Sequence, residues 1–462
     1  MVDWNRKQLG ELCKKRREEL GFKQHTLADE RISATTISNL ENGTKRLSDE
    51  LLAYYLQEKL EWSMEDLPKL LQEKAEKEKQ ERFTIGLRLR TVENDLDCVS
   101  IQEGLRMIRQ MEQELKGKRP YFAVLEYLRG KCYYHSDKLE KAVAHFQQAI
   151  QIFDEHPSIH YTNIKAFCLY QLSRSFHVMN KLDLALSCAQ DGLSSFLPEG
   201  DRRYIQYSLH ISKVIYYEKL ERNSEAMEII EWLEEHFEEL DTEIKLNVYQ
   251  LKATLYNKDK RYKKAIQCAE TGIDIARREK KFDRCFELWT TAGTIYKNMG
   301  QYDAAELSFQ TASKFEDKVK KKQLVAQNGK ELGQLYLLQG NIVLAVEKLQ
   351  NALQLSKKSK DSLRYCEVLQ ALGECYLQQK HHKEAIQYLK QAQKVAEEHS
   401  FYPQERDIVI LLAKCYEKSN MIKYNHYSSR LFHISLKLKE EVSESMRLHE
   451  TKRWLAGDPP DV

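Results

Sequence analysis

One ladder of residues constrains this chain more than any other feature. Nine residues after Tyr133 stands Ala142, four further Phe146, and three further Ala149. The spacing returns as Phe176, Ala185, Ala189, Gly192 and as Tyr217, Ala226, Ile230, Leu233. It continues through Tyr256, Ala265, Ala269, Gly272 and Tyr296, Ala305, Phe309, Ala312. Tyr336, Ala345, Leu349, Ala352 and Tyr376, Ala385, Leu389, Ala392 follow; an eighth copy opens at Tyr416 but has Asn425 where the alanine belongs. A unit of this kind must stack on its neighbours to bury its apolar face. Each copy reads as two antiparallel helices. An aromatic late in the first packs over a small residue early in the second, because only alanine or glycine lets the backbones approach so closely. The later positions fall four and three residues on, along one helical face.

Composition agrees with an all-α chain. Only 7 prolines and 17 glycines occur in 462 residues, while helix formers abound. Charged residues reach 31% but the net charge is only +3, so any nucleic-acid surface must be local. The start, MVDWNRKQLG, lacks the apolar core of a signal peptide, and no stretch approaches the ~18 apolar residues of a membrane span. A cytoplasmic location away from membranes is expected. The ten cysteines form no CxxC pair, and Cys132, Cys375 and Cys415 share one repeat position, which suits reduced, buried thiols. No phosphate loop, HExxH or nucleophile elbow occurs, so neither an enzyme nor a cofactor or metal site is expected. His381 and His382 read as part of a solvated turn.

The ladder resembles the tetratricopeptide repeat, including a small residue three before the aromatic (Gly130, Gly293, Gly333, Gly373). Its period is nearer forty than the usual ~34, so each copy must carry longer helices or loops. This domain is expected over 84–455, with clean copies from about 121 and a degenerate cap from about 405. Residues 84–118 read as a degenerate first repeat, and 456–462, within AGDPPDV, as a disordered tail.

The ladder does not reach the first seventy residues. Residues 1–69 read as a bundle: a helix over 7–20 stopping at Gly21, a second from Gln24, a third from Ser33 to Asn42 ending at Gly43, and two more over 48–67. This segment resembles the Cro/repressor-type helix-turn-helix at Gln24, Leu27–Ala28, Ile37–Ser38, Glu41–Asn42–Gly43, Lys45, Arg46 and Ser48. The resemblance implies that Ala34, Thr35 and Asn39 face bases in double-stranded DNA. Gln24, Thr36, Lys45 and Arg46 would face phosphate, with Arg16 and Arg17 as outlying candidates. Leu27, Ala28, Ile37 and Leu40 would be core. A docking bundle is the plainer alternative, since charges nearly balance here, but it gives no reason to keep the glutamine together with the basic turn. Base readers so short and few imply a homodimer or higher homo-oligomer reading two half-sites. The Gly- and Pro-free stretch 70–83 reads as a solvated helical linker without a coiled-coil seam.

Head and array together resemble the peptide-pheromone-responsive regulators of Gram-positive bacteria, the Rap, Rgg, NprR, PlcR and PrgX group, most nearly the NprR branch. The resemblance implies a right-handed superhelix holding a short, re-imported signalling peptide on its concave side. The wall facing that side comes from the first helix of each copy: Tyr127, Tyr170, Arg174 and His177 early. Asn247, Gln250, Thr254, Asn257, Thr290, Thr294 and Lys297 follow in the middle, then Gln327, Lys330 and Gln334. Amides both donate and accept, which suits an extended peptide backbone. Asn247, then Asn257, best match the family's backbone clamps, and Arg174, Lys297 or Lys330 could take a carboxylate. The expected function is a DNA-binding transcription regulator switched by that peptide. The alternative is a scaffold that sequesters a protein such as a phosphorelay response regulator, with DNA binding secondary.

Overall fold

The computed structural model describes residues 6–156, 163–359 and 361–437, and every regular element among them is helical. Two compact units divide between Met107 and Ile108, inside one helix. The expected tail at 456–462 lies outside the described residues.

The first unit holds α1 (Arg6–Glu19), α2 (Gln24–Leu27), α3 (Ala34–Glu41), α4 (Asp49–Tyr54), α5 (Leu67–Cys98) and the start of α6 (Ile101–Glu114). α2 is a single turn, because Ala28 already sits in the extended region. Ser33 caps α3, its hydroxyl accepting from the Thr36 N–H at 3.1 Å. α3 ends at Gly43 for two reasons: its φ is +67°, and an added Cβ would lie 3.0 Å from the Lys7 Cα. Gly10 lets α1 cross α3, since a Cβ there would lie 2.3 Å from the Leu40 carbonyl oxygen. Leu9, Cys13, Leu27, Ile37, Leu40, Tyr55 and Leu56 form the core.

Two details depart from expectation. Instead of two helices over 48–67, α4 widens into a π-helical turn at Tyr55–Lys59 and stops at Leu60, which puts Tyr55, Leu56 and Leu60 all in the core. The charged stretch 70–83 is the middle of α5, a 32-residue helix unbroken at either expected boundary.

The second unit is a run of helix pairs: α7 (Phe122–His135) with α8 (Leu139–Glu155), α9 (Ile164–Val178) with α10 (Leu182–Ser194), and α11 (Ile205–Lys219) with α12 (Asn223–Glu235). α13 (Thr242–Lys258) pairs with α14 (Tyr262–Arg278), α15 (Phe282–Asn298) with α16 (Tyr302–Ser313), and α17 (Lys322–Leu338) with α18 (Ile342–Lys358). α19 (Ser362–Gln378) pairs with α20 (His382–Glu398), and α21 (Tyr402–Tyr416) with α22 over 421–437. The period of forty comes from helix length rather than loops. In the regular copies two 17-residue helices alternate with three-residue turns.

The ladder is the packing code. All seven ladder alanines, from Ala142 to Ala385, are fully buried. The small residue three before the aromatic is the seat for a large one on the next helix. A Cβ on Gly130 or Gly293 would lie 2.5 Å from the ring of Phe146 or Phe309, and one on Gly333 or Gly373 would lie 2.6 Å from Leu349 or Leu389. Where the seat is Ser173 or Ala253, the corresponding residue is Ala189 or Ala269, whereas the third copy sets Val214 against Ile230, so the matching of small to large holds in four copies and not in all.

A second repeated device has no counterpart in the sequence pattern. Four residues after each ladder aromatic the backbone turns left-handed: Asp137, Asn180, Glu221, Lys260, Gly300, Gly340 and Lys380 all have φ between 57° and 78°. The following N–H then bonds back to the aromatic's carbonyl; the Arg261 N–H, for example, donates to the Tyr256 carbonyl at 2.8 Å. The eighth pair also forms, with its register slipped by one. Tyr376 stacks on Tyr388 twelve residues on, whereas Tyr416 stacks on Tyr427 eleven on. Asn425 is therefore exposed and Tyr427 buried.

Each first helix meets the first helix of the next copy, while second helices pack on flanking first helices. First helices thus form the inner layer of the stack. The array also comes round on itself: the Asn180 side chain donates to the Ser400 carbonyl at 3.1 Å. All ten cysteines are free, and burial pushes Cys132 up to about 11 and Cys375 up to about 12.

Candidate functional site

Two surfaces carry candidate chemistry, one in each unit. In the first, α3 presents Thr35 to solvent, with Ala34, Thr36 and Asn39 half-buried beside it. Lys45 and Arg46 are exposed on the turn that follows. Thr36 shares a 2.8 Å hydroxyl contact with Ser33, and the Thr44 hydroxyl donates to Asn39 Oδ1 at 3.1 Å. The only carboxylate of α3, Glu41, is buried, so the exposed face of the helix is polar and uncharged. Asn42 and Ser38 extend this face, and exposed Arg31 lies over the Tyr54 ring at 4.9 Å. Ser38 and Asn42 belong to the matched motif positions but were given no contact there, and Arg31 lies outside them.

Three of the side chains expected at phosphate have partners within the unit. Arg17 is buried and grips Glu41 through two bonds of 2.6 and 3.0 Å. Gln24 turns its amide to the same carboxylate at 2.7 Å. Arg16 donates to the Leu60 carbonyl at 3.1 Å and lies over Trp62. A buried carboxylate demands donors, and the side chains nearest to it are drawn inward. The link between α2 and α3 is held by Asp29, whose carboxylate receives Lys59 and the Tyr54 hydroxyl at 2.5 Å each and the Ile32 N–H at 3.0 Å. The Lys59 bond, then that of Tyr54, holds this carboxyl well below its usual range.

In the second unit, the expected wall residues fall on the inner layer, except that Tyr127 is wholly buried and packs on Phe146 and Phe167. The wall is already cross-linked from copy to copy. Asn247 accepts from Arg284 at 2.6 Å and donates to the Glu243 carbonyl at 3.0 Å, while Arg284 also pairs with Glu243 and Glu287. Asn257 accepts from Asn298 at 3.2 Å. Lys297 meets Glu331 at 2.6 Å and Gln334 at 3.2 Å. Lys330 meets Glu367 at 2.8 Å and Glu331 at 3.3 Å, and Gln327 donates to Glu331 at 2.8 Å. Thr290 is buried and bonded to Phe286 and Asn328; Thr254 and Thr294 donate to their own helices. Gln250 is half-buried in the same layer.

Burial alone would raise the Glu331 carboxyl, but Lys330 and Lys297 outweigh it and hold it at about 2. Lys330 is raised in turn: burial works against its charge, and Glu331 and Glu367 prevail. Sequence reasoning found the cations here and missed their carboxylates. Glu367 stands nine before its ladder aromatic, as Asn247 and Gln327 do, and Glu374 stands two before it, as Arg174 does. Reading those two positions one copy further finds Glu367, which pairs with Lys330, and Glu374, which pairs with no cation among the described residues, but not Glu331.

The early wall differs. Arg174 lies over Tyr134 at 4.9 Å and Tyr170 at 5.5 Å and donates to Gln171 at 3.2 Å. His177 packs on Tyr216 at 5.2 Å, and burial, then Lys219 and Arg174, push it down to about 4. His381 and His382 are exposed, and no metal-binding cluster occurs among the described residues. No described helix is long and apolar enough to cross a membrane.

Models of the tetratricopeptide repeat match residues 323–398 and, separately, 127–156, 246–279 and 286–317. No curated protein sequence matches the chain. Among solved structures, a Rap protein complexed with competence and sporulation factor aligns over 77% of this chain and 99% of its own, with a TM-score of 0.57 at 14% identity. NprR in complex with its cognate peptide NprX aligns over 76% and 99%, with a TM-score of 0.53 at 13% identity. The apo form of RapI aligns over 78% and 99%, at 0.51 and 13%. At these identities the likeness is one of fold: an all-α chain built on a tetratricopeptide array.

Proposed function

We propose that this protein is a cytoplasmic transcription regulator whose binding to double-stranded DNA is switched by a short signalling peptide held on the inner wall of its array. The observation that carries the peptide half is the wall itself. Its amides, hydroxyls and ion pairs are positioned by first helices, and in two proteins of similar fold the array is crystallised with competence and sporulation factor or with NprX. The DNA half rests on α3, capped by Ser33, bare of exposed carboxylates and followed by Lys45 and Arg46. Thr35, Asn39 and Asn42 are the base readers in this reading, with Lys45, Arg46 and Thr36 on phosphate. The regulator acts as a homodimer, since so few readers need a second half-site. The peptide works through unequal affinity for two arrangements of the protein.

A second reading has its own observation. Leu338 and Val343 flank one turn of the array and stand 58% and 78% exposed, an apolar pair that fits capture of a protein such as a response regulator. One experiment separates the two. Labelled DNA from upstream of the gene is titrated with protein, with and without synthetic peptides from the C-termini of small neighbouring reading frames. A peptide-dependent change in affinity or complex size supports the first reading. DNA binding that no peptide alters moves the array to the second.

A further inference from the structure

The wall carries one register position whose chemistry changes in order along the array. Two residues before each ladder aromatic, from the second copy to the seventh, stand Arg174, Ile215, Thr254, Thr294, Gln334 and Glu374. All six are half-buried on first helices. The row therefore begins with a cation, runs through neutral groups and reaches an anion.

Its two ends are also the ones left uncompensated. The middle cations are spent: Arg284, Lys297 and Lys330 each have a carboxylate within 4 Å. Arg174 has none among the described residues; its neighbours are tyrosine rings and the Gln171 amide. Nearby Glu218 is engaged by Lys258 at 2.5 Å. Lys219 and Arg174 also lie close enough to His177 to add, after burial, to its depression, with Glu218 opposing. At the other end Glu374, among the described residues, is bonded only to the Gln370 amide, at 3.1 Å. Burial, with Asp407 adding and Gln370 and Lys414 opposing, raises its carboxyl.

We infer that the wall is polar lengthwise and binds its peptide in one direction, a carboxylate of the peptide on Arg174 and the peptide's amino group on Glu374. The inference rests on the peptide-receptor reading above. A guanidinium held over aromatic faces keeps its N–H edge for a planar carboxylate, whereas Arg284, Lys297 and Lys330 are each already held by one. Fixed charges of opposite sign at the ends penalise the reversed peptide by placing like charges together.

The test uses full-length protein and libraries of synthetic peptides of roughly seven to fifteen residues with free termini, lengths that step the reach along the wall. The best-retained peptide is remade as its C-terminal amide, as its N-acetyl form, and with any Asp or Glu changed to Asn or Gln. In wild type, removing the recognised carboxylate should weaken binding ~30-fold, as expected for a charge-assisted pair. The amide and the Asn or Gln forms show which carboxylate it is. In Arg174→Gln that gap should shrink to less than ~3-fold, while Arg174→Lys, which keeps the charge but loses the planar fork, should hold a gap between the two. Glu374→Gln should abolish the effect of acetylation and leave the carboxylate gap intact. A carboxylate gap that persists in Arg174→Gln overturns the inference, as does an acetylation effect that survives in Glu374→Gln. If wild type retains no peptide, the receptor reading falls and takes this inference with it.

Discussion

Gly293→Ala isolates the packing code of the array. Replacing glycine by alanine inside a helix should stabilise it by up to ~1 kcal/mol through backbone entropy. Here the new Cβ would lie 2.5, 2.6 and 2.9 Å from three atoms of the Phe309 ring. The ring must retreat by roughly 0.9 Å to reach an ordinary 3.4 Å contact, yet Phe309 is fully buried and has no solvent side to move to. Overpacking of this kind costs ~1–3 kcal/mol, so against the full entropy gain the net loss is about 0–2. Gly86→Ala is the control, since that position lies inside α5 with nothing within 4 Å of the added carbon; it should gain up to ~1 kcal/mol. Urea titrations followed by circular dichroism, with unchanged m-values, read both. Phe309→Ala alone should cost ~3–5 kcal/mol, and in the double variant with Gly293→Ala the costs should fall short of additive by the overpacking penalty, ~1–3 kcal/mol. A Gly293→Ala protein as stable as the Gly86→Ala protein would refute the idea that seat and ring are matched in volume.

Other expectations follow from the same geometry. Lys260→Gly, at φ +59°, should stabilise the array by ~0.5–1 kcal/mol in the same titration, whereas Lys263→Gly inside α14 should destabilise it. Arg17→Ala leaves the buried Glu41 without its main partner and should cost ~3–5 kcal/mol in the first unit, read by hydrogen exchange of α1 and α3. Arg46→Ala should lower the slope of log affinity for DNA against log salt by about one; an unchanged slope removes Arg46 from the interface. Because Glu331 is held at about 2 when folded and sits in the ordinary carboxyl range when unfolded, its contribution is fully present above the unfolded value and is lost as pH falls through the folded one. Acid titration of Glu331→Gln should therefore lose less stability than wild type between about pH 4.5 and 2, with matching slopes above.

The ladder was legible because burial repeats with it: one alanine per copy faces a backbone that nothing larger can approach. The left-handed turns were not, since five of seven use Asp, Asn, Glu or Lys where glycine would have signalled them. The eighth pair was hidden by one residue of slip, which moves Asn425 outward and brings Tyr427 under Tyr416. In the wall, sequence placed the cations by register but could not see them spent, because Lys297 and Glu331 stand 34 residues apart and Lys330 and Glu367 stand 37 apart. Gln24 is the same lesson in the first unit: a motif assigns it to a phosphate, and a carboxylate seventeen residues on claims it.

The cross-linked wall has a mechanical consequence. Glu331 is shared by Lys297 of the copy before it and Lys330 beside it, and Lys330 is shared in turn with Glu367 of the copy after. Lys330 and Glu331 cannot change partner alone, because both are buried and a buried charge left single is costly. A guest that displaces one link obliges the next to re-pair, and the disturbance passes from copy to copy like a dropped stitch running along a knitted row. The linked stretch, three copies long, therefore sets how far the loss of one contact is felt.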